Sequence, residues 1–361
     1  MNKIRVRWII QAVCLVLVWL LKLFPHGGEW YATTIYPVCS GGLACFSSFF
    51  PFSLNDLFIY GSLAGILLYL LYALLWKHRV KQALVHVVEY LVWVYIWFYA
   101  AWGLNYYRND FYQRTQLQRQ VYSEELFGRF LQVYTDSLNA AYCLVDTVEK
   151  EKVEAAIKAS YAVLDKKYGL TCPPENLRPK PMLFPSLMSG VGVMGYIGPF
   201  FIESHLSKDL LPVQYAATCA HEMAHVLGIS SEAEANYYSY LICTTSSERE
   251  IRFSGYFSLL PYVLSNAYRV LPEADFKAWR ETLRPEIVSL YREKADHWQN
   301  LYNPLLGEIQ DKMYNWYLKG NRISSGTANY SEVIGLIMAA QSASFYNLLA
   351  GMETRSNENQ K

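Results

Sequence analysis

His221 and His225 stand four residues apart, with Glu222 beside the first of them, in the run TCAHEMAHVLG. On an α-helix, residues four apart share one face, so the two imidazoles can each direct a ring nitrogen to the same point. This is the opening of a zinc site of the HExxH type. The histidines hold the metal, and the intervening glutamate stays off it and acts as general base toward an attacking water. Imidazole suits zinc, and one ion per chain is the expected stoichiometry. Chance yields HExxH in roughly one chain of this make-up in a hundred, a poor explanation for its presence. Catalytic zinc takes three protein ligands and keeps one position open, so a third donor has to lie close by.

Gly228 is placed to end the motif helix, and Glu232-Ala233-Glu234-Ala235-Asn236 opens a second helix able to fold back on the first. Glu232 shares a face with Asn236 and Ser239, whereas Glu234 lies with Tyr237, Tyr238 and Leu241. A polar face belongs toward a wet site, which favours Glu232 as the third ligand and leaves Glu234 as the alternative. Asn236 would then bond the far nitrogen of a ligand imidazole and fix its tautomer. Hydrolysis also needs a donor for the oxyanion, and Arg252, Tyr256 and His205 have suitable chemistry. Tyr196 to Glu203, read as an edge strand, offers backbone hydrogen bonds to an extended peptide.

These residues must be carried by a scaffold, and the first hundred residues read as belonging to a bilayer. Three apolar runs, 8–24, 54–76 and 84–104, are long enough to cross. Lys3, Arg5 and Arg7 precede the first, and Lys77-His78-Arg79-Val80-Lys81 separates the second from the third. Residues 25–53 contain no Lys or Arg. Basic loops stay in the cytoplasm, so the amino terminus is expected inside and everything after the third span outside. The expected location is therefore the inner (cytoplasmic) membrane, with a periplasmic catalytic domain. His86 and Glu89, inside the third run, are expected to reach headgroups or pair with Lys81. Cys39 and Cys45 lie in the outer connection, expected to be a loop, where a disulfide can persist.

Of the 361 residues, 32 are Lys or Arg and 31 Asp or Glu, so a net charge of +1 gives no attraction to nucleic acid. The seven cysteines form no CxxC pair, which excludes a zinc knuckle or thioredoxin-like chemistry. Residues 1–105 thus read as an anchor and 106–361 as a mostly helical extracytoplasmic domain. Ser123 is placed to cap a helix with Glu124 and Glu125 in its first turn. Five prolines between 172 and 185 exclude helix there, and VGVMGYIGPFFIES reads as short strands before the motif helix. From Val213 onward the pattern is helical, broken near Gly228, Ser246, Leu271, Pro285, Pro304 and Gly320. Met313, Trp316 and Tyr317 are spaced like a core stripe. A last helix is expected to be capped by Ser331, with a frayed polar tail after Gly351.

HEMAH followed by EAEAN resembles the gluzincin metallopeptidases, in which a glutamate ligand is followed four positions later by Asp or Asn, as Glu232 is by Asn236. More broadly, the three spans, GYIGPFFIES, HEMAH, EAEANYYSYL and RFSGYF together resemble an uncharacterised domain-of-unknown-function family of bacterial three-span membrane proteins with a zincin motif. The resemblance covers nearly the whole chain and implies the architecture and the metal class.

The expected protein is mainly α, with three amino-terminal transmembrane helices, a mostly helical zincin-like domain and a short β segment before the HExxH helix. The expected activity is that of a membrane-anchored zinc metallopeptidase acting on a protein or peptide, with Glu222 as base. The alternative is a zinc-stabilised envelope interaction or scaffold protein without catalysis.

Overall fold

The computed structural model describes residues 3–119, 123–164, 168–323 and 332–341. The first apolar run forms α1 (Lys3–Leu23). Where the sequence predicts a loop, the chain instead forms α2 (Gly27–Trp30), a π-helical turn over Tyr31–Ile35, and α3 (Tyr36–Ser48). Cys39 and Cys45 therefore sit on one helix, pointing about 120° apart, and both thiols are free. α4 (Leu54–Tyr72) begins at Ser53, whose hydroxyl accepts from Asp56 N, and α5 (Val80–Ala101) follows a basic turn.

Val6–Leu23, Leu54–Lys77 and Val80–Ala101 are each long and apolar enough to cross a membrane. Their ionisable groups find partners other than those expected. Glu89 pairs with Arg7 of α1 at 3.2 Å, and His86 Nδ1 lies 2.7 Å from the Tyr69 hydroxyl; neither uses Lys81.

A 3-10 turn over Gly103–Tyr107 leads to α6 (Phe111–Thr115) and α7 (Glu124–Ala141), where Ser123 provides the predicted cap. α8 (Lys150–Ala162) and α9 (Pro185–Gly190) flank the proline-rich connection. The strands β1 (Gly195–Gly198) and β2 (Glu203–Leu206) pair antiparallel, with Gly195 opposite Leu206 and Gly198 opposite Glu203. The remaining named helices are α10 (Pro212–Val226), α11 (Glu232–Thr244), α12 (Arg249–Val270), α13 (Glu273–Glu281), α14 (Pro285–Leu301) and α15 (Pro304–Gly320). Residues 333–341 are also helical, whereas Ser331 and the tail after Gly351 lie outside the described residues. The fold is mainly helical with one small two-stranded sheet, as the sequence predicts.

One apolar core joins residues from both sides of position 105. Tyr31, Tyr36, Tyr99 and Trp102 pack in the same cluster as Phe127, Met223, Tyr238 and Phe257. The predicted core stripe on α15 is not buried. Met313 and Trp316 are 67% and 81% exposed, and Tyr317 meets Tyr106 and Phe98 edge-on beside a cleft. Spacing records a shared helix face but not what covers it.

Candidate metal centre

α10 is held at both ends by local sequence. Pro212 occupies its first turn, where a missing N–H costs nothing. Gly228 ends it at φ +84°, and Ile229 N donates back to Ala224 O. A side chain at 228 would meet Asn105 Oδ1 at 2.9 Å and the Tyr36 ring. Three residues later Ser231 caps α11, its hydroxyl accepting from Glu234 N. The tight turn lays α11 against α10, and α12 packs on both.

This packing brings His221, His225 and Glu232 together. His221 Nε2 lies 3.1 Å from both His225 Nε2 and Glu232 Oε2, and His225 Nε2 lies 3.5 Å from the same carboxylate oxygen. The other ring nitrogens fix the tautomers. His225 Nδ1 faces the Ile229 carbonyl at 2.7 Å, which can only accept, so that nitrogen carries a proton. His221 Nδ1 faces Asn236 Oδ1 at 2.9 Å, the role predicted for Asn236. In the neutral rings both Nε2 atoms then present lone pairs to each other and to a carboxylate. Three lone pairs this close repel unless a positive charge lies among them. A tetrahedral ion with bonds of about 2.0–2.1 Å separates its ligands by about 3.3 Å, which matches the spacing found. Two imidazoles and a carboxylate are a donor set for zinc.

A proton can serve when no metal is present. Burial alone would lower the His225 pKa, but the charge and hydrogen bond of Glu232 outweigh it and raise it to about 9. Burial likewise acts to raise Glu232, and the two imidazoles overcome it and hold the carboxyl well below its ordinary value. The second Glu232 oxygen, Oε1, accepts from the Tyr314 hydroxyl of α15. Glu234 is turned away and paired with Arg114, so only the favoured one of the two candidate carboxylates reaches the histidines.

Glu222 is buried beside this cluster, and its Oε2 has no hydrogen-bond partner among the described residues. Burial pushes its carboxyl up to about 7; positive charge on His221 and His225 opposes the shift, and Glu232 adds to it. β1 crosses directly above. A Cβ on Gly195 would lie 2.6 Å from Glu222 Oε1, so only glycine lets the strand pass this close.

A cleft of about 760 Å³ opens over the cluster. Gly195, Tyr196 and Ile197 of β1 line it, together with Trp102, Tyr262, Lys294 and Tyr317. β2 pairs with one edge of β1, and the other edge has no strand partner among the described residues. Among the described residues Lys294 makes no hydrogen bond or ion pair, although its ammonium stands 5.5 Å from the Phe257 ring centre; burial lowers its pKa to about 8.

The three residues considered as oxyanion donors do not line the cleft. Arg252 is bound to the Ser246 and Ser247 carbonyls, and the Tyr256 ring packs against Tyr134 and Tyr240. His205 is fully buried behind Tyr196, with Nε2 2.8 Å from Ser53 Oγ. Their side chains follow local backbone and ring partners, which motif spacing does not reveal. Tyr262, one turn beyond Ser258 on α12, reaches the cleft instead. Its pKa is pushed up to about 12, first by burial and then by the Glu232 charge, so it stays a donor throughout the neutral range.

The sequence profile of a family described as a protein of unknown function (DUF3810) matches residues 31–338, so the chain belongs to that family. No curated protein and no solved structure matches the chain.

Proposed function

We propose that this DUF3810-family chain is a membrane-anchored zinc metallopeptidase, with His221, His225 and Glu232 as metal ligands and Glu222 as general base. The observation that carries the reading is the convergence of two imidazoles, their tautomers fixed from behind, with the Glu232 carboxylate, beside a buried Glu222 whose Oε2 has no hydrogen-bond partner among the described residues. When bound, zinc supplies Lewis acidity, polarising a carbonyl and making water easier to deprotonate.

The chain's own groups account for the rest. Glu222, buried beside the ligands with an oxygen free of hydrogen bonds, takes a proton from the attacking water and returns it to the departing amine. The open edge of β1 receives an extended peptide through backbone hydrogen bonds and places its carbonyl beside Glu222. Tyr262 donates to the developing oxyanion. In this reading the three apolar helices are transmembrane spans, and the Lys/Arg pattern of the connections supports an amino terminus in the cytoplasm and a cleft outside it.

Metal analysis and peptide turnover on the purified full chain test the assignment. His221→Ala, His225→Ala and Glu232→Gln should lose most of the zinc. Glu222→Gln should keep zinc and lose at least about a hundredfold in turnover. Equal zinc loss in all four variants would contradict the roles, and full turnover in Glu222→Gln would remove the base.

A further inference from the structure

α15 presents two faces with different surroundings. At about 100° per residue, Gln310, Tyr314 and Tyr317 fall on one side and line the cleft. Leu305, Ile309, Met313 and Trp316 fall on another, and they are 72%, 51%, 67% and 81% exposed. A stripe of four large apolar residues at helical spacing needs a cover. Glu308 and Lys312, paired at 3.8 Å, are exposed beside it.

Both ends of this helix are tied to segments that touch one end of the membrane bundle. Asn303 N, just before α15, donates to Gly190 O at the end of α9 at 2.7 Å. Phe184, immediately before α9, packs edge-on against Tyr60 of α4, with ring centres 4.7 Å apart. Leu183 and Leu187 are exposed on the same segment. Beyond the other end of α15, Asn321 Oδ1 accepts from the Tyr99 hydroxyl of α5 at 2.7 Å. Arg322 donates to Lys22 O near the end of α1 at 3.3 Å. Lys22, Tyr60 and Tyr99 lie toward the last turns of α1, the first turns of α4 and the end of α5, which is one side of the bundle. A helix fastened at both ends to that side runs along the bilayer surface rather than away from it.

We propose that α15 lies in the bilayer interface, with Leu305, Ile309, Met313 and Trp316 at the boundary between headgroups and acyl chains. The cleft then opens at the membrane surface and takes polypeptide substrates held there. The occupant of the stripe is lipid. The stripe lies on a helix whose flanking segments are tied to one end of the spans, whose own apolar side chains are exposed in the same way, and Trp316 and Lys312 are side chains suited to the headgroup layer. The docking rests on reading the three apolar helices as spans, and it deepens the proposed function by stating where the substrate is met. Because the Tyr314 hydroxyl is hydrogen-bonded to Glu232, the helix that touches lipid also touches a metal ligand.

Photo-crosslinking in liposomes tests this. Benzoylphenylalanine is placed singly at Ile309, Met313 or Trp316 of the full chain, with Leu67 of α4 as a position expected in the acyl region and Glu308 on the polar side of α15. Lipid adducts at the three stripe positions should come within about threefold of Leu67 and exceed Glu308 by about tenfold. Adducts at Leu67 with yields at the stripe no higher than at Glu308 would overturn the docking alone. Crosslinks from the stripe to a second copy of the chain or to another protein would do the same. No lipid adduct at Leu67 would overturn both the spans and the docking.

Discussion

Replacing Glu203 by glutamine should loosen the cleft wall from the second apolar helix. Glu203 is a fully buried carboxylate on β2, and it accepts four bonds at once. Lys180 Nζ lies 2.7 Å from Oε1, Leu54 N donates to Oε1 at 3.1 Å, Asn55 N to Oε2 at 2.8 Å, and Ser53 Oγ to Oε2 at 3.2 Å. Two of these donors are N–H groups of the first turn of α4, which have no partner inside their own helix. The carboxylate charge also complements the positive end of that helix. Glutamine keeps the shape but turns one acceptor into a donor facing donors, and it strips the negative charge from a half-enclosed ammonium. Breaking a buried ion pair from one side costs about 3–5 kcal/mol. At about 2–4 °C per kcal/mol, the unfolding midpoint of the chain in nanodiscs should fall by roughly 6–20 °C. Lys180 also donates to the Ser47 and Phe52 carbonyls, so it stays anchored and still feels the loss. Adding Lys180→Met to Glu203→Gln should recover about 1–2 kcal/mol, because the uncompensated charge is then gone. Zinc content should hold, since the proposed ligands lie on α10 and α11. A midpoint shift below about 2 °C, or strictly additive effects in the double variant, would refute this account.

Gly195→Ala should keep zinc but lower peptide turnover by at least about tenfold, because the new methyl group would lie 2.6 Å from Glu222 Oε1; metal analysis beside kinetics separates the two effects. Gly228→Ala forces a side chain into a left-handed turn and against Asn105, and chemical unfolding should show a loss of about 1–3 kcal/mol. Asn236→Ala removes the partner of His221 Nδ1 and should weaken zinc binding about 10–100-fold in a competition titration with a chelator. Lys294→Met should raise stability at pH 7 by about 1–3 kcal/mol, since it removes a poorly solvated ammonium that has no carboxylate partner among the described residues. The sign follows from the lowered pKa. Between about 8 and 10.5 the folded chain has shed this proton and the unfolded chain has not, so wild-type stability rises relative to the variant and the gap narrows. A gap that widened with pH in unfolding scans would contradict the assignment.

The helix faces that carry the site were legible because periodicity is a local property. His221 and His225 share a face by spacing alone, and the polar side of the next helix picked out Glu232 over Glu234. The reason for that choice was only half visible. Glu234 is occupied by Arg114, 120 residues earlier in the chain, and no pattern in the sequence announces such a pairing. Tyr262 escaped notice for the same reason, whereas Arg252 and Tyr256 had suitable chemistry but were already committed to local partners. The three apolar runs were found because length and hydropathy suffice to identify them. The stretch between the first two was misread as a loop because Gly, Pro, Ser and Thr are frequent in it, and tertiary contacts override such propensities.

The composition changes near residue 105, after the third apolar run, yet the helix that carries both histidines depends on residues from the other side of it. The last turn of α10 has carbonyls that its own helix cannot satisfy. Tyr36 donates its hydroxyl to Val226 O at 2.6 Å, and Trp102 donates its indole N–H to His225 O at 3.0 Å. Arg108, itself paired with Glu29, donates to Gly228 O at 3.2 Å. Two of these donors come from the apolar amino-terminal region and the third is held by it, and all three act on the turn that aims His225. A buried carbonyl left without a donor costs roughly 1–3 kcal/mol. His225 O also accepts from Gly228 N, so the Val226 and Gly228 carbonyls are the two that depend on the added donors, a contribution that is substantial beside the roughly 5–15 kcal/mol that separate folded from unfolded chains. The amino-terminal helices therefore do more than supply apolar runs long enough to cross a membrane. They complete the hydrogen bonding of the helix that carries both histidines, which explains why one core runs through both parts of the protein.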